Sequence, residues 1–156
     1  MKLRTQIISL GLIGAALAAL VGGIGLAATS RLDTSIDAAI ASGQALHFSQ
    51  QADMMHDAVR GDAQLALLGA MEKSSERMAE AEAGLKVHAQ TFTTALDKLR
   101  AMQLDPDSAR SAERVRPLVK KYIEAAQTVV KSSTSDVEAA QKAMPAFLAA
   151  FAELET

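Results

Sequence analysis

Residues 7–28 carry no charged side chain. As an α-helix rising about 1.5 Å per residue, such a stretch spans about 33 Å, close to one hydrocarbon core. Lys2 and Arg4 precede it, and positive charge on that flank predicts that residues 1–6 stay in the cytoplasm. The expected layout is therefore a cytoplasmic N-terminus (1–6), a transmembrane helix (7–28) and an extracytoplasmic remainder (29–156). The rival is a cleaved signal peptide, whose apolar region is shorter, about 7–15 residues; Gly25 and Ala27 are small enough to flank a cleavage site. Gly11, Gly14, Ala18 and Gly22 recur at close-packing intervals that permit helix–helix contact in a membrane. Equally, Gly and Ala are simply common in such spans.

The rest of the chain is built from helix-forming residues. Apolar residues make up 49% of the sequence but aromatics only 3%, so Ala, Leu, Val and Met carry the apolar content. Three prolines and no alternating run of β-branched residues point to an all-α fold. No cysteine is present, which excludes disulfide and thiolate chemistry. Without Lys2 and Arg4 the chain carries 14 basic and 18 acidic residues. Nothing there forms the basic stripe that a nucleic-acid partner requires.

Four helical stretches follow. The first, from about Ser30 to about Met71, has an apolar seam at Ile36, Ile40, Gly43, Met54, Ala58, Gly61, Leu65 and Leu68, interrupted by His47 and Gln50. The second begins near Ser74–Ser75 and places Met78, Ala81, Leu85, His88, Phe92, Ala95, Leu99 and Met102 on one face. Asp105–Pro106 is a start signal, with Asp as cap and Pro at the first helical position. The third stretch then runs to about Lys131, with a kink or a delayed start expected at Pro117. Ser135 and Glu138 read as a capping box for the fourth stretch, which Pro145 is expected to bend. That stretch shows no stop signal before Thr156, as if cut within a helix. Short connections make neighbours antiparallel, giving an up-down-up-down four-helix bundle.

One segment is more specific than periodicity. Met55-His56-Asp57-Ala58-Val59-Arg60-Gly61-Asp62, with Met54 before it and Leu65, Leu67 and Leu68 after, resembles the first sensor helix of the four-helix-bundle family of methyl-accepting chemotaxis receptors. Similar features follow in order: Asp105-Pro106, then Arg116-Pro117-Leu118 with Tyr122, then Met144-Pro145-Ala146-Phe147 with Phe151 and Leu154. The resemblance covers nearly the whole chain from Lys2 onward. It implies a homodimeric receptor of the bacterial inner membrane, with a periplasmic bundle that reads a small molecule directly or through a periplasmic binding protein. A second span and a cytoplasmic signalling coil that joins the chemotaxis kinase array would follow such a domain. The same sensor domain can also be fused to histidine kinases or cyclases. A different class of reading is a membrane-anchored structural bundle with no ligand of its own.

Candidate binding residues fall into two groups. Gln50, Asp53, Asp57, Arg60 and Gln64 form a polar stripe at three- and four-residue intervals. It reads as half of a ligand pocket at a dimer interface, with Arg60 clamping a carboxylate and Asp57 orienting that Arg or meeting a cation. The plain alternative is a solvated face laced with intrahelical ion pairs. Folding the chain at its turns places Ala58 or Val59, His88, Tyr122 and Phe147 in one layer, to within about a turn. There His88 and Tyr122 offer hydrogen bonds to a ligand, or simply to each other. The dimer face is expected on the first helix, at Gly43, Ala58 and Gly61.

No cofactor or metal is expected. His47, His56 and His88 lack ligand-like spacing, and methionines at helical intervals are core material more often than haem ligands. Neither a phosphate loop nor a Ser–His–acid grouping is visible, so no enzyme is expected.

Overall fold

The computed structural model describes the backbone of residues 2–102 and 104–155, and the side chains of these apart from residues 2–13, 15 and 16. The described chain is all-helical, with four helices: α1 (Lys2–Met71), α2 (Ser75–Ala101), α3 (Pro106–Ser133) and α4 (Val137–Leu154). It divides into two compact units, residues 1–43 and 44–156.

The first unit is helix alone. Every described side chain from Leu17 to Gly43 is exposed, including Leu17, Leu20, Val21, Ile24, Leu26, Leu32, Ile36 and Ile40. Among the described residues no helix is long and apolar enough to cross a membrane. Much of the first half of 7–28, Gly11 included, lies outside the described side chains. Before Arg31 the described side chains are those of Gly14 and residues 17–30, fewer than the roughly 20 apolar residues of a span.

The second unit is a bundle of the later part of α1 with α2, α3 and α4. Ion pairs Arg100–Glu113 at 2.8 Å and Arg116–Asp97 at 3.3 Å step in opposite directions along α2 and α3, so the two helices are antiparallel. Asp62 facing His88 and His56 facing Phe92 give the same sense for α1 and α2. The helix starts follow local chemistry. Ser74 caps α2 by accepting from the Arg77 N–H, and Asp105 caps α3 by accepting from the Asp107 and Ser108 N–H groups, with Pro106 at the first position. Those hydrogen bonds, the Ser108 contacts first, hold the Asp105 carboxyl below its ordinary pKa. The cap of α4 is Asp136, not Ser135: the Asp136 carboxylate accepts from the Glu138 N–H at 2.9 Å, while the Ser135 hydroxyl turns back to the Ser132 carbonyl. Both α3 and α4 continue unbroken through Pro117 and Pro145.

The α1–α2 turn closes on a residue in the left-handed region. Lys73 has φ 57°, its N–H donates to the Ala70 carbonyl, and the Ser74 N–H donates to the Gly69 carbonyl at 2.7 Å. This is a Schellman ending with Lys where Gly is the usual residue. It also brings α2 against α1: a Cβ on Gly69 would lie 3.0 Å from Arg77 Cβ.

The core gathers Val59, Ala63 and Ala66 of α1, Ala81, Leu85, Phe92 and Ala95 of α2, Val119, Tyr122, Ala126 and Val129 of α3, and Phe147, Ala150 and Phe151 of α4. Tyr122, Phe147, Val59 and Val129 are the largest wholly buried side chains. The buried face of α1 therefore differs from the expected seam. Met54, Gly61 and Leu68 are exposed, and the buried positions are Ala52, Val59, Asp62, Ala63, Ala66, Gly69 and Ala70. One residue turns a helix face by about 100°. The bundle here closes on small residues, which let α1 approach its neighbours.

Candidate functional site

Around His56 the bundle collects most of its aromatic content. The imidazole stacks on Phe151 with centroids 4.2 Å apart and planes 14° from parallel. It meets Tyr122 edge-on at 5.1 Å and Phe92 at 6.4 Å. Phe147 stacks behind Tyr122 at 5.2 Å. The Tyr122 hydroxyl donates to the His56 carbonyl at 2.8 Å, tying α3 to α1 across the core. Burial pushes the Tyr122 pKa up, so the phenol stays protonated and remains a donor. His56 Nε2 is buried and has no hydrogen-bond partner.

A cleft of ≈ 730 Å³ opens beside this nest, within the bundle. Leu46, Ser49, Ala52, Asp53 and His56 line it from α1; Phe92, Leu96 and Leu99 from α2; Ser108, Ser111 and Val115 from α3. Leu104, Asp107 and Leu154 line it as well. The walls are mainly apolar, and among the described residues the formal charges on them are carboxylates. Asp107 already pairs with Arg110. Asp53 makes no ion pair among the described residues.

The sequence-derived candidates are dispersed over this framework. Asp53 is on the cleft wall. Asp57 and Arg60 form an intrahelical ion pair at 2.9 Å, and the Arg60 guanidinium lies 4.5 Å from the Phe151 ring centroid, so neither lines the cleft. Tyr122 is wholly buried and bonded to His56. His88 bonds elsewhere: its Nδ1 is 2.7 Å from Asp62 Oδ2, about a turn along α1 from Val59. Of the expected layer of Ala58 or Val59, His88, Tyr122 and Phe147, the Tyr122 and Phe147 rings stack, while His88 bonds to Asp62 and not to Tyr122. Asp62 and the cleft-lining role of His56 were not foreseen. The available signals were spacing: Asp62 follows Val59 by three on the core face, and His56 follows Asp53 by three. Among the described residues no three metal-ligating side chains come together.

Buried Asp62 is the charged exception in the core. Burial raises its carboxyl pKa above the ordinary value, and the hydrogen bond from His88 opposes that shift. Gly84 of α2 makes room for it, since a Cβ there would lie 2.5 Å from Asp62 Oδ1.

Burial lowers the His56 pKa from 6.5, while the carboxylates of Asp57, Glu155 and Asp53 pull it back and Arg60 adds to the lowering. The neutral imidazole is thus favoured in the fold. Its contribution to stability is full above 6.5 and is lost as pH falls through the lower folded value. His56→Phe keeps a ring against Phe151 and removes the titration. Relative to wild type, this variant is expected to gain stability on acidification below 6.5, measured as urea midpoints across pH. Parallel profiles for the two proteins would show that His56 does not titrate against folding.

Comparison of the chain with family profiles, curated proteins and solved structures finds no match.

Proposed function

We propose that this chain is the extracytoplasmic ligand-sensing module of a bacterial chemotaxis transducer. In this reading residues 7–28 anchor it in the inner membrane, the bundle lies in the periplasm, and the protein dimerises through the first helix. It carries no catalysis of its own. The observation that supports the reading best is α1 itself: one helix, Lys2–Met71, carries both the charge-free segment and the part that lines the cleft. A ligand that displaces α1 against α2 and α3 acts on the helix that also carries the charge-free segment, and helix displacement is one established form of transmembrane signalling. The exposed apolar side chains Met54 and Leu68, with Gly61 between them, agree with a second copy covering that face.

The test is a thermal-shift screen of the full chain in detergent against amino acids, organic acids, amines and inorganic anions. A ligand selective for the folded form stabilises by about 2.7 kcal/mol at a hundredfold excess over its Kd. A saturable midpoint shift with at least one class is expected. A folded, dimeric chain that responds to nothing across the panel would remove the ligand-sensing reading and favour a structural bundle.

A further inference from the structure

The chemistry of the cleft narrows the class of ligand. Its volume of ≈ 730 Å³ suits a small organic molecule. Phe92, Leu96, Leu99 and Val115 supply apolar walls, which call for an apolar body. Among the described residues Asp53 and Asp107 are the charged groups on those walls, and no Lys or Arg lines the space. Asp107 pairs with Arg110, which leaves Asp53 as the carboxylate without an ion pair among the described residues. His56 lines the cleft one helical turn along the same face of α1.

We propose that this cleft binds a small primary amine with an apolar or aromatic body, its ammonium held by Asp53 and its body against Phe92, Leu96 and Val115. Three features divide the work. The ammonium has three donors and no acceptor, matching a carboxylate that only accepts. The apolar walls take the body of the ligand out of water, while exposed Asp53 meets its charge. An anionic ligand of the same shape meets Asp53 with like charge and nothing to offset it. This inference rests on the sensing role proposed above and names the ligand class of the same module.

The test is isothermal titration of the full chain with three probes: 2-phenylethylamine, 3-phenylpropionate with a similar body and opposite charge, and methylammonium with charge but almost no body. Saturable binding is expected for 2-phenylethylamine, with affinity at least tenfold above either of the others. Asp53 is exposed, so Asp53→Asn leaves the fold intact and is expected to weaken 2-phenylethylamine at least tenfold. Ala112→Phe, which fills the cleft from α3, is expected to abolish binding, with far-UV circular dichroism confirming the helices. Glu76→Gln removes one exposed carboxylate from the first turn of α2 and is expected to change nothing. Equal affinity for the amine and the acid, or an Asp53→Asn variant that binds like wild type, would overturn the assignment. If another class in the screen shifts the midpoint while 2-phenylethylamine does not bind, the amine assignment falls and the sensing role stands; silence from every ligand removes both.

Discussion

Phe147→Ala is expected to destabilise the bundle by about 3–5 kcal/mol, the usual cost of deleting a buried phenyl ring. The ring is wholly buried and stacks on Tyr122, itself wholly buried. The size of the effect depends on whether neighbours can collapse into the space. Tyr122 is poorly placed to do so, because its hydroxyl is fixed to the His56 carbonyl at 2.8 Å. Sliding the phenol toward the cavity would break that bond and leave a buried hydroxyl without its acceptor. The core around it is rich in stiff or small side chains, Val59 and Ala150 among them, which have little reach. A domain of this size holds about 5–15 kcal/mol in total, so the variant would lose a large share of it. Leu148, the next residue, is 45% exposed and supplies the control. Leu148→Ala is expected to cost far less in the same urea titration, with both variants keeping the wild-type slope. Equal costs for the two would mean that the α4 face is wrongly assigned.

The order of helices and two of the three helix starts after α1 were legible in the sequence because they are set locally. Ser74 and Asp105–Pro106 act on N–H groups two or three residues away, and no tertiary contact has to be known. The start of α4 was displaced by one residue because Ser135 and Asp136 are adjacent cap formers, and the carboxylate is the one used. The face of α1 was harder. Pattern reading weights large apolar side chains, and on α1 these include Met54 and Leu68, which are exposed. The helix is instead buried through alanines, and alanine does not distinguish one face of a helix from another in a sequence this rich in it. The meeting of Tyr122 and Phe147 was legible from chain folding, because helix rise converts residue number into height. The hydrogen-bond partners of His88 and Tyr122 were not. Moving His88 about a turn along α1 exchanges Tyr122 for Asp62, and only the close approach of α2 at Gly84 fixes that register. The cleft was illegible for a related reason: its walls come from four helices and a turn, and Asp53 was the one predicted site residue on them.

Replacing His88 with Leu is expected to destabilise the bundle by about 1–3 kcal/mol near neutral pH, the cost of leaving a buried polar group without its partner. The Asp62 side chain is 10% exposed and takes its hydrogen bond from His88 Nδ1. Leu restores apolar volume but offers no donor, so the loss is carried by the carboxylate and not by packing. The pH dependence gives the decisive sign. Because burial raises the folded pKa of Asp62 above its ordinary 3.8, its favourable contribution is full below 3.8 and is lost as pH rises through the folded value. The penalty of His88→Leu should therefore shrink well below 3.8, where Asp62 is protonated in both proteins. Asp62→Asn in the His88→Leu background should recover most of the loss near neutrality, because the orphan charge is gone. The double-mutant cycle would then return a coupling of about 0.5–3 kcal/mol. Gly84→Ala should act through the same carboxylate, since its methyl would lie 2.5 Å from Asp62 Oδ1 and would displace it from His88. Asp62→Asn does not relieve that clash, so Gly84→Ala should stay costly in its presence while His88→Leu does not. A His88→Leu penalty that is equal at acid and neutral pH, and that Asp62→Asn leaves untouched, would show that His88 serves the fold by its volume alone.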